Sequence, residues 1–197
     1  AVFGDMQSTN RLSATGNRIM SDALARVDVD LFVQLGDLVE YGGNLNNWKS
    51  AADYIGKFAA TTPIALLPGN HERYGDAALE NYKTMFPMDF AAPNGGFYSF
   101  DTQGVHFIFI DATLGMRMSA IQKNWIEEDL RISKARGDTW TFLFLHHTLL
   151  TTGSTPTALE LQRWLIPRID QYGVDAVFFG HDHQYEHWTY EYGWNGL

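Results

Sequence analysis

An α/β fold containing a mixed sheet follows from two features of the 197-residue sequence. Short apolar runs alternate with longer amphipathic stretches, and almost every run ends in a small group of Gly, Asp, Asn or His. The runs are Ala1 to Phe3, Leu31 to Leu35, Pro63 to Leu67, Val105 to Ile110, Trp140 to Leu145 and Ala176 to Phe179. They are rich in Val, Ile and Phe and apolar on both faces, the signature of strands buried between layers.

Helices are predicted between them, over Ser13 to Val27, Leu45 to Phe58, Asp76 to Phe86, Ser119 to Ala135 and Thr157 to Tyr172. Ser119 with Gln122 three residues on reads as a capping box, and Gly173 as the glycine that closes the last helix. Strands alternating with helices give an α/β domain. Phe97 to Phe100 and Val105 to Ile110 are instead adjacent strands joined by a turn at Gly104, so the sheet is mixed. No repeat, low-complexity segment or linker divides residues 1–197, which read as a single domain.

Composition excludes several chemistries. With no cysteine, disulfides and thiolate metal sites are ruled out, so any metal is held by oxygen and imidazole nitrogen. The net charge of −9 disfavours long nucleic acids as partners; it suits a protein that concentrates cations, though taken alone it reads as serving solubility. No apolar run approaches the roughly 20 residues of a membrane span. The chain opens on Ala1-Val2-Phe3 and stops soon after its last motif. The start reads as cropped and the end as either a natural short form or a cropped one, and a removed leader would imply export or a periplasmic location. Nothing in the residues sets the oligomeric state.

The strand ends carry the chemistry. In chain order they are Gly4-Asp5-Met6-Gln7, Gly36-Asp37, Pro68-Gly69-Asn70-His71-Glu72, His146-His147 and Gly180-His181-Asp182-His183. Any one alone is a turn, an N-cap or a buried histidine. Together they deliver oxygen or imidazole donors at five strand ends, where open α/β sheets form their binding crevices.

This ordered set resembles the calcineurin-like metallophosphoesterases, which include the purple acid phosphatases, and the resemblance runs from Gly4 to His183. It implies an αββα sandwich, two packed mixed sheets flanked by helices, with a metal site at the C-terminal ends of the strands. It implies two divalent metal ions, Mn, Fe or Zn. Asp5 and His183 then bind the first ion, Asp37 bridges both, and Asn70, His146 and His181 complete the second. His71 matches the family's outer-sphere histidine, which faces the substrate and does not bind metal; it is the catalytic candidate, either to donate a proton to the leaving oxygen or to stabilise the phosphorane-like charge. Spacing to the preceding strand selects His146; His147 then points the other way, into a structural role or a substrate contact.

The resemblance also implies the reaction. A carboxylate spans two cations roughly 3.5–4 Å apart, and the ion pair supplies hydroxide near neutral pH for in-line attack on a small-molecule phosphoester. Neither phosphomonoesterase nor phosphodiesterase is selected by these residues. No Gly-x-Ser-x-Gly elbow or cysteine argues for a covalent phosphoenzyme.

Three positions depart from the family pattern. Gln7 stands where many members have histidine, either as a weak amide ligand of the first ion or leaving that site more open. Glu40 stands where purple acid phosphatases have their tyrosine ligand, with Tyr41 one place later, which disfavours the ferric purple form. Thr148 replaces a common proline. His106 alternates with Ile108 and Ile110 and reads as a core or sheet-face histidine, while Tyr74, Tyr185, His187 and Trp188 are crevice or packing residues. Two other readings remain: a catalytically silent relative that binds metal or ligand, which Gln7 favours, and an interaction module with incidental histidines.

Overall fold

All six apolar runs and the Phe97 to Phe100 segment form strands in the computed structural model, which describes residues 1–7, 11–92, 95–155 and 158–189. They are β1 (Val2–Phe3), β2 (Phe32–Gln34), β3 (Ile64–Leu66), β4 (Tyr98–Thr102), β5 (Val105–Ile110), β6 (Trp140–Leu145) and β7 (Ala176–Phe178). β1, β2 and β3 pair in parallel in one sheet. The other sheet has the order β4-β5-β6-β7, with β4 antiparallel to β5 and the remaining pairs parallel. The β4–β5 turn has both central residues left-handed, Gln103 at φ 51° and Gly104 at φ 79°, the type I′ geometry that matches strand twist.

Strand periodicity assigns each residue to a layer. Val33, Leu35, Ala65 and Leu67 of the first sheet meet Tyr98, Phe109 and Phe144 of the second. Between the sheets the rings form a ladder across all four strands: Tyr98–Phe109 at 4.5 Å, Phe109–Phe144 at 4.9 Å and Phe144–Phe178 at 5.1 Å between centroids. The alternate residues of β5 and β6, Ile108, Ile110, Leu143 and Leu145, face α4 (Ala120–Arg136) and α5 (Leu159–Tyr172). Phe32 and Leu66 face the opposite helical layer, α1 (Arg11–Leu24) and α2 (Leu45–Ile55), with α3 (Glu80–Met85) beside them. Each fully buried Leu, Ile or Phe contributes about 1.5–3 kcal/mol. The layers are therefore helix, sheet, sheet, helix, as expected.

Local chemistry adjusts the predicted ends. Ser119 caps α4 by accepting from the Gln122 N–H at 3.1 Å, but the Gln122 side chain does not return to close the box. It bonds both backbone groups of Asp111 instead, accepting from the N–H at 2.8 Å and donating to the carbonyl at 2.7 Å. The expected helix from Asp76 shortens to α3 because Leu79 is left-handed at φ 58°, and Asp76 caps it by accepting from the Glu80 and Asn81 N–H groups. Gly173 closes α5 at φ 74°. Thr157, the expected start of that helix, lies outside the described residues, as do residues 190–197 of the tail. His106 is buried, as predicted for a core histidine, and it lies between Asp101 at 2.6 Å and Asp129 at 3.0 Å.

Candidate metal centre

Five loops after strand ends converge. Asp5 follows β1, Asp37 follows β2, Asn70 and His71 follow β3, His146 follows β6, and His181 and His183 follow β7. Asp5, Asp37, His181 and His183 all have positive φ, of 55°, 53°, 75° and 50°. Non-glycine residues pay for this conformation, and its concentration in one crevice is characteristic of functional sites. The left-handed turns aim these side chains at a common centre.

Two motif glycines allow the close approach. A Cβ at Gly36, itself at φ 92°, would come within 2.8 Å of His146 Nδ1 and 2.6 Å of the Gly69 nitrogen. A Cβ at Gly69 would lie 2.1 Å from Asp37 Oδ1. Any side chain at either position would displace a candidate ligand.

The donor atoms fall into two groups. Asp37, His146 and His181 each offer an atom within 4.8 Å of the others, and Asp5, Asp37 and His183 do the same. Asp37 is common to both. His146 Nδ1 donates to the Leu35 carbonyl at 2.8 Å, which turns Nε2 into the centre. Around that nitrogen lie Asn70 Oδ1 at 3.1 Å, Asp37 Oδ2 at 3.2 Å and His181 Nδ1 at 3.2 Å. Lone pairs converging this closely repel one another unless a proton or a cation lies among them.

Titration follows the same electrostatics. Burial alone would lower His146, but the Asp37 and Asp5 carboxylates raise it to about 9. Burial would raise Asp37, and hydrogen bonding to His146 holds it down instead. Burial pushes Asp5 up, partly offset by His146. His181 is lowered by burial and by His146.

Gln7 joins the first group. With its amide nitrogen donating to the Asp5 and Asp37 carbonyls at 3.1 and 3.0 Å, its oxygen faces His183 Nε2 at 3.0 Å. An amide oxygen thus stands beside the Asp5 and His183 donors. His71 sits at the rim: its N–H donates to Asp37 Oδ1 at 2.9 Å, and its ring Nδ1 donates to the Glu40 carbonyl at 2.8 Å. Its Nε2 lies 3.8 Å from Asp37 Oδ2.

His147 does not turn away from the centre. Its ring lies 4.5 Å from that of His181 and 5.3 Å from that of His146, outside both donor groups. Burial and these two neighbours lower it to about 3, so it packs as a neutral ring. Tyr41 is half exposed beside Tyr74, and a Cβ at Gly75 would strike its ring. Tyr185 is almost fully exposed.

Two supports carried no individual signal in the sequence. Glu72 is fully buried and accepts from four backbone N–H groups: Asp37 at 2.9 Å, Leu38 at 2.8 Å, Val39 at 3.0 Å and Gly69 at 2.6 Å. It ties the loop after β2 to the loop after β3, and its place next to His71 was the available clue. Asp182, between the two motif histidines, accepts from the Thr151 and Thr155 hydroxyls and so joins the loop after β6 to the loop after β7.

Known proteins of similar sequence and fold include several phosphatases. Purple acid phosphatases 21 and 22 of Arabidopsis thaliana are 25% and 26% identical, each over 94% of this chain. The chain spans 44% of the length of either relative. Among solved structures, a purple acid phosphatase from yellow lupin (Lupinus luteus) seeds superposes with a TM-score of 0.74 at 21% identity, covering 91% of this chain and 37% of its own. A dimetal phosphatase from Danio rerio gives 0.68 at 17% identity, with 92% and 80% covered. GAP50, described as the anchor in the inner membrane complex of Plasmodium, gives 0.68 at 16% identity, with 92% and 65% covered. The family model for calcineurin-like phosphoesterases matches residues 1–185, and the chain belongs to that family.

Proposed function

We propose that this chain hydrolyses phosphoester bonds with two divalent metal ions. The observation that carries the reading is that Asp37 belongs to both groups of metal-type donors. On this reading Asp5, His183 and the Gln7 oxygen hold one ion, Asn70, His146 and His181 the other, and Asp37 bridges them. The donor set fits: imidazole, carboxylate and amide without thiolate suit Mn, Fe or Zn. When bound, such an ion pair supplies Lewis acidity and a hydroxide nucleophile near neutral pH.

The remaining work belongs to the side chains. Asp37 and Asp5 concentrate negative charge that only cations or protons neutralise. His146 is fixed through its Nδ1–H to Leu35, so its Nε2 lone pair is presented in a single direction. His71, similarly tied through Nδ1 to the Glu40 carbonyl, turns Nε2 toward the centre, where in its imidazolium form it gives the Nε2 proton to the leaving oxygen and is left neutral with its Nδ1–H still on Glu40. The substrate is a small phosphoester, either a monoester or a diester.

The test is hydrolysis of p-nitrophenyl phosphate and bis-p-nitrophenyl phosphate by the Mn-loaded protein. Turnover should fall at least about a hundredfold in Asp37→Asn, and the ratio of the two rates separates monoesterase from diesterase. A second reading has specific support, since Gln7 replaces a common histidine and one structural neighbour is described as an anchor. On that reading the fold binds metal without turnover, and wild-type protein that binds Mn but leaves both esters intact would favour it.

A further inference from the structure

We infer that Tyr74 is a positioning residue that holds the Asn70 side chain with its oxygen facing the second metal position; this rests on the two-metal reading above. An asparagine amide has one end that can ligate a cation and one that cannot, because the NH2 group has no free lone pair. In the structure Asn70 Nδ2 donates to the Tyr74 hydroxyl at 2.9 Å, while Oδ1 lies 3.1 Å from His146 Nε2. Without a partner for the NH2 group, the outer end of the amide is unfixed. The Asp37 carboxylate, an acceptor among the inner neighbours, would then attract the amide hydrogens inward.

The backbone makes this contact. A single 3-10 turn, His71–Arg73, brings residue 74 back over residue 70, and Asn70 itself makes no capping bond with its side chain. Arg73 pins the turn through bonds to Asp111, Thr113 and the Ala77 carbonyl. The Tyr74 ring then lies 4.8 Å from that of His71. A phenol oxygen can accept from the amide nitrogen or donate to the amide oxygen. Only the first arrangement leaves Oδ1 inward, and it directs the phenol hydrogen, which has no acceptor among the described residues, toward the open side.

The consequence is a coupling that simple packing would not produce. Tyr74→Phe keeps the ring on His71 and removes only the hydroxyl, so binding of the second Mn ion should weaken about tenfold by calorimetric titration. In an Asn70→Asp background both side-chain oxygens can ligate, orientation ceases to matter, and the same Tyr74→Phe change should cost less than about twofold. In metal-free wild type the Asn70 side-chain NH2 should exchange slowly with solvent by NMR, and this protection should vanish in Tyr74→Phe. An equal loss of Mn affinity in both backgrounds, or none in the Asn70 background, overturns the inference while leaving the two-metal reading intact. Wild-type protein that binds fewer than two Mn ions overturns both.

Discussion

Glu72 shows how much of the centre depends on a residue that need not touch metal. Four N–H donors converge on its carboxylate, two on each oxygen. They come from the left-handed turn at Asp37 and from Gly69, the backbone on either side of the Asp37 carboxylate. Burial and the Asp37 charge favour the protonated form, but these donors need an ionised acceptor at both oxygens. Glu72→Gln exchanges one oxygen for an NH2 group facing two of them. The expected loss is about 2–4 kcal/mol of stability, read as a lower thermal midpoint of the metal-free protein. An unchanged midpoint would mean the two loops hold their shape unaided.

At the scale of elements, His106 joins three of them. It lies on β5, donates through Nδ1 to Asp101 on β4 and through Nε2 to Asp129 on α4, and has Arg136 at 3.4 Å and Asp138 nearby. Burial alone would lower it, but Asp129 and Asp101 together raise it above its ordinary value. A raised histidine contributes stability that is fully present below its unfolded pKa of about 6.5 and is lost as pH rises through the folded value. Wild type should therefore lose more thermal stability between pH 6 and pH 9 than His106→Gln does, with a gap of about 1–3 kcal/mol at pH 6 that narrows at pH 9. Parallel curves for the two proteins would remove the imidazolium from the account. In the sequence His106 reads only as a core or sheet-face residue, because its partners sit 5 and 23 positions away on other elements.

For the molecule as a whole, metal and fold should be linked. At a Mn concentration a hundredfold above its Kd, ligand-linked stabilisation is about 2.7 kcal/mol, which for a domain of this size raises the midpoint by about 5–11 °C. EDTA should reverse it; a midpoint indifferent to both would sink the metal centre. Because His146 is raised to about 9 in the metal-free protein, Mn binding at pH 7 must also displace its proton. Titrations in two buffers of different ionisation enthalpy will count that release.

The same long-range logic sets what the sequence reveals. Strand and helix periodicity, and the motif at each strand end, are local patterns, so all seven strands and the convergence of Asp5, Asp37, Asn70, His146, His181 and His183 were legible. The shortening of α3 at Leu79, the diversion of Gln122 to Asp111 and the packing of His147 onto His181 depend on distant neighbours. No window of sequence contains those neighbours.

The left-handed backbone at Asp5, Asp37, His181 and His183 has an evolutionary and practical consequence. A selection that rewards heat resistance alone, without metal, would favour glycine at these positions, since each such residue carries a conformational cost of about 1 kcal/mol or more. His183→Gly should then melt slightly higher than wild type in EDTA and lower in Mn. Thermostability screens on this scaffold should accordingly be run with metal present, or the variants that survive will be those that have discarded the centre.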